Sequence, residues 1–92
     1  MSAALTATVE VPNRLGLHAR AAAKLVNVAN QYESHIEVSK GGQVADAKSI
    51  MGVLLLCGQQ GARITIRTLG VDAKAALAAL CRLVEDGFGE LQ

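Results

Sequence analysis

The chain has 92 residues, 51% of them apolar, a formal net charge of +1, one Tyr, one Phe and no Trp. A length of this order fills one compact core, so a single domain over residues 1–92 is expected. The near-neutral charge and the scarcity of stacking rings exclude nucleic acid as an expected partner. No apolar run approaches the roughly 20 residues of a membrane span.

The apolar run Val53 to Cys57 lies between Gly52 and Gly58. Met1-Ser2-Ala3-Ala4-Leu5 lacks the basic flank and apolar core of a secretory signal, which points to the cytoplasm. Leu5, Ala7, Val9 and Val11 then alternate with Thr6, Thr8 and Glu10, the pattern of a half-buried strand ending at Pro12. From Ala19 the period changes. Ala22, Leu25, Val26 and Ala29 form one stripe of an amphipathic helix, and Arg20, Lys24, Asn27 and Gln31 form the other.

Ile36 and Val38 alternate with His35, Glu37 and Ser39, and Lys40-Gly41-Gly42-Gln43 turns the chain into a short strand around Val44 to Ala47. A short helix follows Ser49 and ends before Gly58 and Gly61. Ile64 and Ile66 alternate with Arg63, Thr65 and Arg67 in a fourth strand. Asp72 is expected to cap a last helix with Ala76, Leu80, Leu83 and Val84 on its inward stripe.

The order is therefore βαββαβα. One sheet face lies under helices, and the other, with Thr6, Thr8, Glu10, Glu37, Thr65 and Arg67, meets water: a two-layer α+β fold. Cys57 and Cys81 lie far apart, and neither has a second Cys or His at metal-ligand spacing. Both are read as small apolar residues of the core, and neither a metal nor an organic cofactor is expected.

The stretch that points to chemistry is Pro12-Asn13-Arg14-Leu15-Gly16-Leu17-His18-Ala19-Arg20, a loop that delivers His18 to the start of the first helix. The first amides of a helix lack internal acceptors and the macrodipole adds positive potential, so an anion beside His18 is stabilised there. Attack on phosphorus needs a ring nitrogen with a free lone pair. The Arg20 fork matches phosphate oxygens, and Arg14 and Lys24 add to the local field.

Asn13-Arg14-Leu15-Gly16-Leu17-His18-Ala19-Arg20 resembles the active-site motif of HPr, the histidine-containing phosphocarrier family of the bacterial phosphotransferase system. Ala47-Lys48-Ser49-Ile50-Met51-Gly52-Val53 resembles the segment around that family's regulatory serine, and the interval between the two motifs also matches. The resemblance implies an open-faced sandwich with antiparallel strands in the order 1-4-2-3 and three helices on one face. It implies a carrier rather than an enzyme, with His18 phosphorylated on Nδ1 by enzyme I, itself charged from phosphoenolpyruvate, and discharged to an enzyme IIA domain. Arg20 then stabilises the phosphate, and Asn13 holds the loop or the ring by hydrogen bonds.

The pattern departs at Ala21, where many family members have proline. Losing a first-turn proline touches rigidity, at about 0.4–1 kcal/mol, rather than phosphate ligands. At about 100° per residue, the second helix places Val53, Leu56 and Cys57 on one side and Ile50, Met51, Leu54 and Leu55 on the other. A helix on a small sheet buries one side, which leaves the Ile50 side as a docking patch.

Partner-binding residues are expected at Ala19, Lys24, Ile50, Met51 and Leu54. Ser49 suits an N-cap on its own chemistry; by resemblance it is also a phosphorylation site for a serine kinase and phosphorylase. Leu15-Gly16-Leu17-His18 and Gly87-Phe88 also resemble the nitrogen-related NPr branch. A third reading is a regulatory module of the same fold that binds partners without carrying phosphate. The expected state is a monomer meeting its partners transiently.

Overall fold

In the computed structural model, which describes residues 3–90, the expected elements form in the expected order: β1 (Leu5–Glu10), α1 (Ala19–Ala29), β2 (His35–Lys40), β3 (Gln43–Asp46), α2 (Ile50–Leu55), β4 (Arg63–Leu69) and α3 (Ala73–Glu85). A 3-10 turn at Gly87–Gly89 follows. Met1 and Ser2, on which part of the leader argument rests, lie outside the described residues.

The four strands make one antiparallel sheet in the order β1-β4-β2-β3. Its register explains the two faces. Ala7 opposes Ile66, Ile66 opposes Val38 and Val38 opposes Ala45, so one apolar row crosses all four strands. One residue along, Thr8, Thr65, Ser39 and Val44 form a row on the opposite face, where side chains alternate into water.

The three helices cover the apolar face. Ile36, Val38, Ile64 and Ile66 from the sheet join Ala22, Leu25, Val26 and Ala29 of α1, Val53 of α2, and Ala76, Leu80 and Val84 of α3 in one buried cluster. Ala21, where the first motif departs from the pattern it resembles, is fully buried as well and packs into the core. Thr68 continues the inward stripe of β4; its hydroxyl is satisfied by donating to the Ala73 carbonyl at 2.9 Å. Among the described residues no helix is long and apolar enough to cross a membrane.

Two local readings are corrected. Asp72 occupies the N-cap position of α3 but makes no capping bond there. Its carboxylate instead accepts the Ser34 amide at 2.9 Å, the Ser34 hydroxyl at 2.5 Å and the Glu33 amide at 2.9 Å, because three donors of the turn before β2 converge on it. The Ser34 hydroxyl, followed by the Glu33 amide, holds the Asp72 carboxyl below its ordinary value of 3.8.

The second correction is Cys57, which is exposed, while Cys81 is half-buried. The α2 helix stops at Leu55, and Cys57 adopts a left-handed conformation with φ 53°, so the helical wheel no longer applies to it.

Candidate functional site

The loop between β1 and α1 is fixed from below. The Asn13 carbonyl accepts the Gly16 amide at 3.1 Å, and Asn13 Nδ2 donates to the Gly16 carbonyl at 2.9 Å. Gly16 has φ +63°, and a Cβ there would meet the Gly58 carbonyl oxygen at 2.2 Å, so only glycine fits. The Leu17 amide donates to that same oxygen at 2.7 Å, and the Leu17 side chain is buried. The loop therefore delivers the next residue on a rigid base.

That residue, His18, is the N-cap of α1 in extended backbone conformation. Its Nδ1 accepts the Arg20 amide at 3.3 Å, and its ring keeps 27% of its side-chain surface exposed. Among the described residues the amides of Ala19 and Ala21 have no protein acceptor. An anion beside Nδ1 thus meets unsatisfied N–H groups and the positive end of α1.

An open cleft over the ring is lined by Arg14, Leu15, His18, Ala19, Arg20 and Glu90. Neither Arg14 nor Arg20 belongs to an ion pair among the described residues, so both guanidinium groups remain available to an anion. Asn13 is fully buried and does not line the cleft. Lys24 lies farther along α1, and its ammonium donates to the Phe88 carbonyl at 2.7 Å.

Sequence reasoning missed Glu90. Its Oε2 lies 2.5 Å from His18 Nε2, and its Oε1 accepts Asn13 Nδ2 at 2.8 Å. The Asn13 amide above all, with His18 and Lys24 adding to it against a partial opposing burial, holds the Glu90 carboxyl below its ordinary value of 4.5. The one available signal was Gly87-Phe88-Gly89, a turn whose central Phe88 has φ 57° and is fully buried, which pins the chain immediately before Glu90.

The second motif lies apart from this cleft. Ser49 caps α2, its Oγ accepting the Gly52 amide at 3.2 Å. Ile50, Met51 and Leu55 are exposed, at 44%, 68% and 67% respectively, whereas Leu54 is half-buried against the core. The apolar patch on α2 is thus centred on Met51 and Leu55, with Leu54 contributing less than the wheel suggested.

An open-faced sandwich that presents a histidine at a helix N-terminus, in a cleft lined also by Arg14 and Arg20, defines a small α+β protein whose site suits an anion. Comparison with known proteins makes this specific. The family model described as the PTS HPr component phosphorylation site matches residues 5–86. Phosphocarrier protein HPr of Cupriavidus necator is 46% identical over 78 residues, covering 85% of this chain and 88% of that protein. Phosphocarrier protein NPr of Shewanella violacea is 44% identical over 82 residues, covering 89% and 90%. The crystal structure of HPr-C-His from Thermoanaerobacter tengcongensis superposes with a TM-score of 0.92 at 40% identity, covering 96% of this chain and 99% of that one. The chain belongs to the HPr family of phosphocarrier proteins.

Proposed function

We propose that this chain carries a phosphoryl group on His18 within a phosphoenolpyruvate-dependent phosphotransferase chain in the cytoplasm. The observation that carries the reading is the placement of His18 Nδ1 toward the first amides of α1, 3.3 Å from the Arg20 amide. Enzyme I is the donor: its phosphorus–nitrogen bond breaks, the departing nitrogen keeps the electron pair, and Nδ1 forms the new bond. Transfer to an enzyme IIA domain repeats the exchange in the other direction.

A loose transition state needs alignment and charge stabilisation more than covalent machinery. Arg20 meets the phosphoryl oxygens with its fork, Arg14 adds positive charge, and Asn13 keeps the loop in place. The exposed Ile50, Met51 and Leu55 supply the docking patch, with Ala19 and Lys24 at its α1 side. Ser49 is the site at which a serine kinase and phosphorylase regulate the encounter. The chain works as a monomer within residues 1–92 as one domain.

Incubation with enzyme I and phosphoenolpyruvate tests the reading. The expected product is an acid-labile, alkali-stable phosphate that His18→Ala abolishes; absence of label on the parent chain would overturn it. The matches to NPr proteins at 40–44% identity favour a second reading, in which the acceptor belongs to the nitrogen-related branch. Discharge of the phosphorylated chain to sugar-type and nitrogen-type enzyme IIA domains separates the two by the preferred acceptor.

A further inference from the structure

We infer that Leu15 is a specificity-determining residue for phosphoryl transfer: it seats against apolar side chains that frame the donor's phosphorylated ring, a contact made only while the two proteins are docked. The inference rests on the reading of His18 as the phosphoryl acceptor. Its first observation is exposure. Leu15 keeps 68% of its surface in solvent, whereas Asn13 and Leu17, two residues to either side, are buried. A scattered surface leucine needs no explanation. This one lines the cleft over His18, and it is the only large apolar side chain to do so among the described residues.

The leucine stands on a fixed base. Arg14 and Leu15 are the two corner residues of a turn closed by the Gly16 amide, which donates to the Asn13 carbonyl at 3.1 Å. Asn13 Nδ2 donates to the Gly16 carbonyl at 2.9 Å, and the Leu17 amide beyond it donates to the Gly58 carbonyl at 2.7 Å. The backbone that carries Leu15 is thus set relative to His18, three residues on. An apolar anchor on a rigid corner loses little conformational freedom when a partner covers it. Most of its surface contributes nothing to the fold, so packing does not account for a leucine here.

What covers Leu15 follows from the reaction. Transfer brings the donor's phosphorus to within about 3–3.5 Å of the attacking nitrogen, so the donor must enter the cleft over His18 and meet its walls. Arg14 and Arg20 line the same cleft and match the phosphoryl oxygens. Leu15 offers nothing to an anion and matches instead the apolar surroundings of the donor's ring, where covering it removes apolar surface from water. A donor whose ring is framed by charged side chains would leave those charges desolvated against the leucine and is disfavoured. The exposed patch on α2 cannot substitute, since neither Met51 nor Leu55 lines this cleft. Leu15 takes no part in the bond changes themselves.

The test compares the parent chain with Leu15→Ala, Leu15→Asp and Leu15→Met, all expected to share its thermal transition because the side chain lies outside the core. In steady-state transfer from enzyme I, alanine is expected to raise KM about three- to thirtyfold with kcat held, the scale of an uncovered leucine. Aspartate is expected to raise it further and methionine to restore it nearly to the parent value. Docking is read without transfer by titration calorimetry of His18→Ala chains, with and without Leu15→Ala, against enzyme I kept phosphorylated by excess phosphoenolpyruvate. Equal affinities in that titration, or an unchanged KM in both the alanine and aspartate variants, would overturn the inference. A parent chain that accepts no phosphate sinks the carrier reading instead, while the titration still decides whether Leu15 meets the donor.

Discussion

At Gly16 two demands meet on one residue: a left-handed backbone and a carbonyl oxygen of Gly58 where any side chain would begin. Gly16→Ala is therefore expected to cost about 1–3 kcal/mol from backbone strain alone, with relief only if the loop shifts away from Gly58. A denaturant titration reads the first effect. A slower rate of phosphoryl acceptance reads the second, because the Gly16 carbonyl is one of the two acceptors that hold Asn13. Local chemistry of this kind was legible in the sequence. His18, Arg20 and Gly16 sit within one short motif, where a helix start, a cation and a turn residue are separated by a few positions. Glu90 was not legible, since it meets His18 from 72 positions away and no pattern along the chain couples the two.

Elements were legible where a period repeats and illegible at their ends. The wheel of α2 separated buried Val53 from exposed Met51 correctly, yet it was extended to Cys57, beyond the last helical residue. Ser49 caps α2 as its side-chain chemistry requires. Ser49→Asp retains an N-cap acceptor and adds negative charge at the favourable helix end, so the fold is expected to persist. The same charge stands beside Ile50 and Met51, and transfer from enzyme I is expected to slow; an unchanged rate with intact folding would remove Ser49 from the docking surface.

Asp72 lies at the start of α3 but serves the start of β2, a role that no helix rule anticipates. Its folded carboxyl titrates below 3.8, so the stability it contributes is fully present above that pH and is lost as pH falls through the lower folded value. Asp72→Asn removes one of the two acceptor oxygens at any pH. The gap in thermal midpoint between parent and variant is therefore expected to be wide at neutral pH and to narrow only below about pH 4. A gap that stays constant down to pH 2 would mean that the carboxylate charge is irrelevant to the staple.

Across the whole molecule, the sheet order joins β1 to β4 and the turn after α3 comes back to the loop before α1. Phe88 is the apolar part of that closure, fully buried at the centre of a glycine-flanked turn. Phe88→Ala is expected to cost about 3–5 kcal/mol, a large share of the roughly 5–15 kcal/mol that holds a domain together. Thermal unfolding would show it as a fall of roughly 10 °C or more in the midpoint. Phosphoryl acceptance is expected to suffer at temperatures where the variant is still folded, because the segment carrying Glu90 loses its anchor. The alternation of β1, β2 and β4 made the layers readable from sequence, but the closure of one end of the fold on the other depends on three-dimensional packing.

The unequal surroundings of the two thiols make this protein its own reporter. Cys57 stands in the open just beyond α2, whereas burial, with the Glu85 charge adding to it, pushes the Cys81 thiol above its ordinary value. Thiolate is the species that alkylates, so a maleimide dye at neutral pH is expected to tag Cys57 well ahead of Cys81, which peptide mass spectrometry would verify. A single fluorophore placed there, with no engineered cysteine, would sense the arrival of a protein on α2 by its emission.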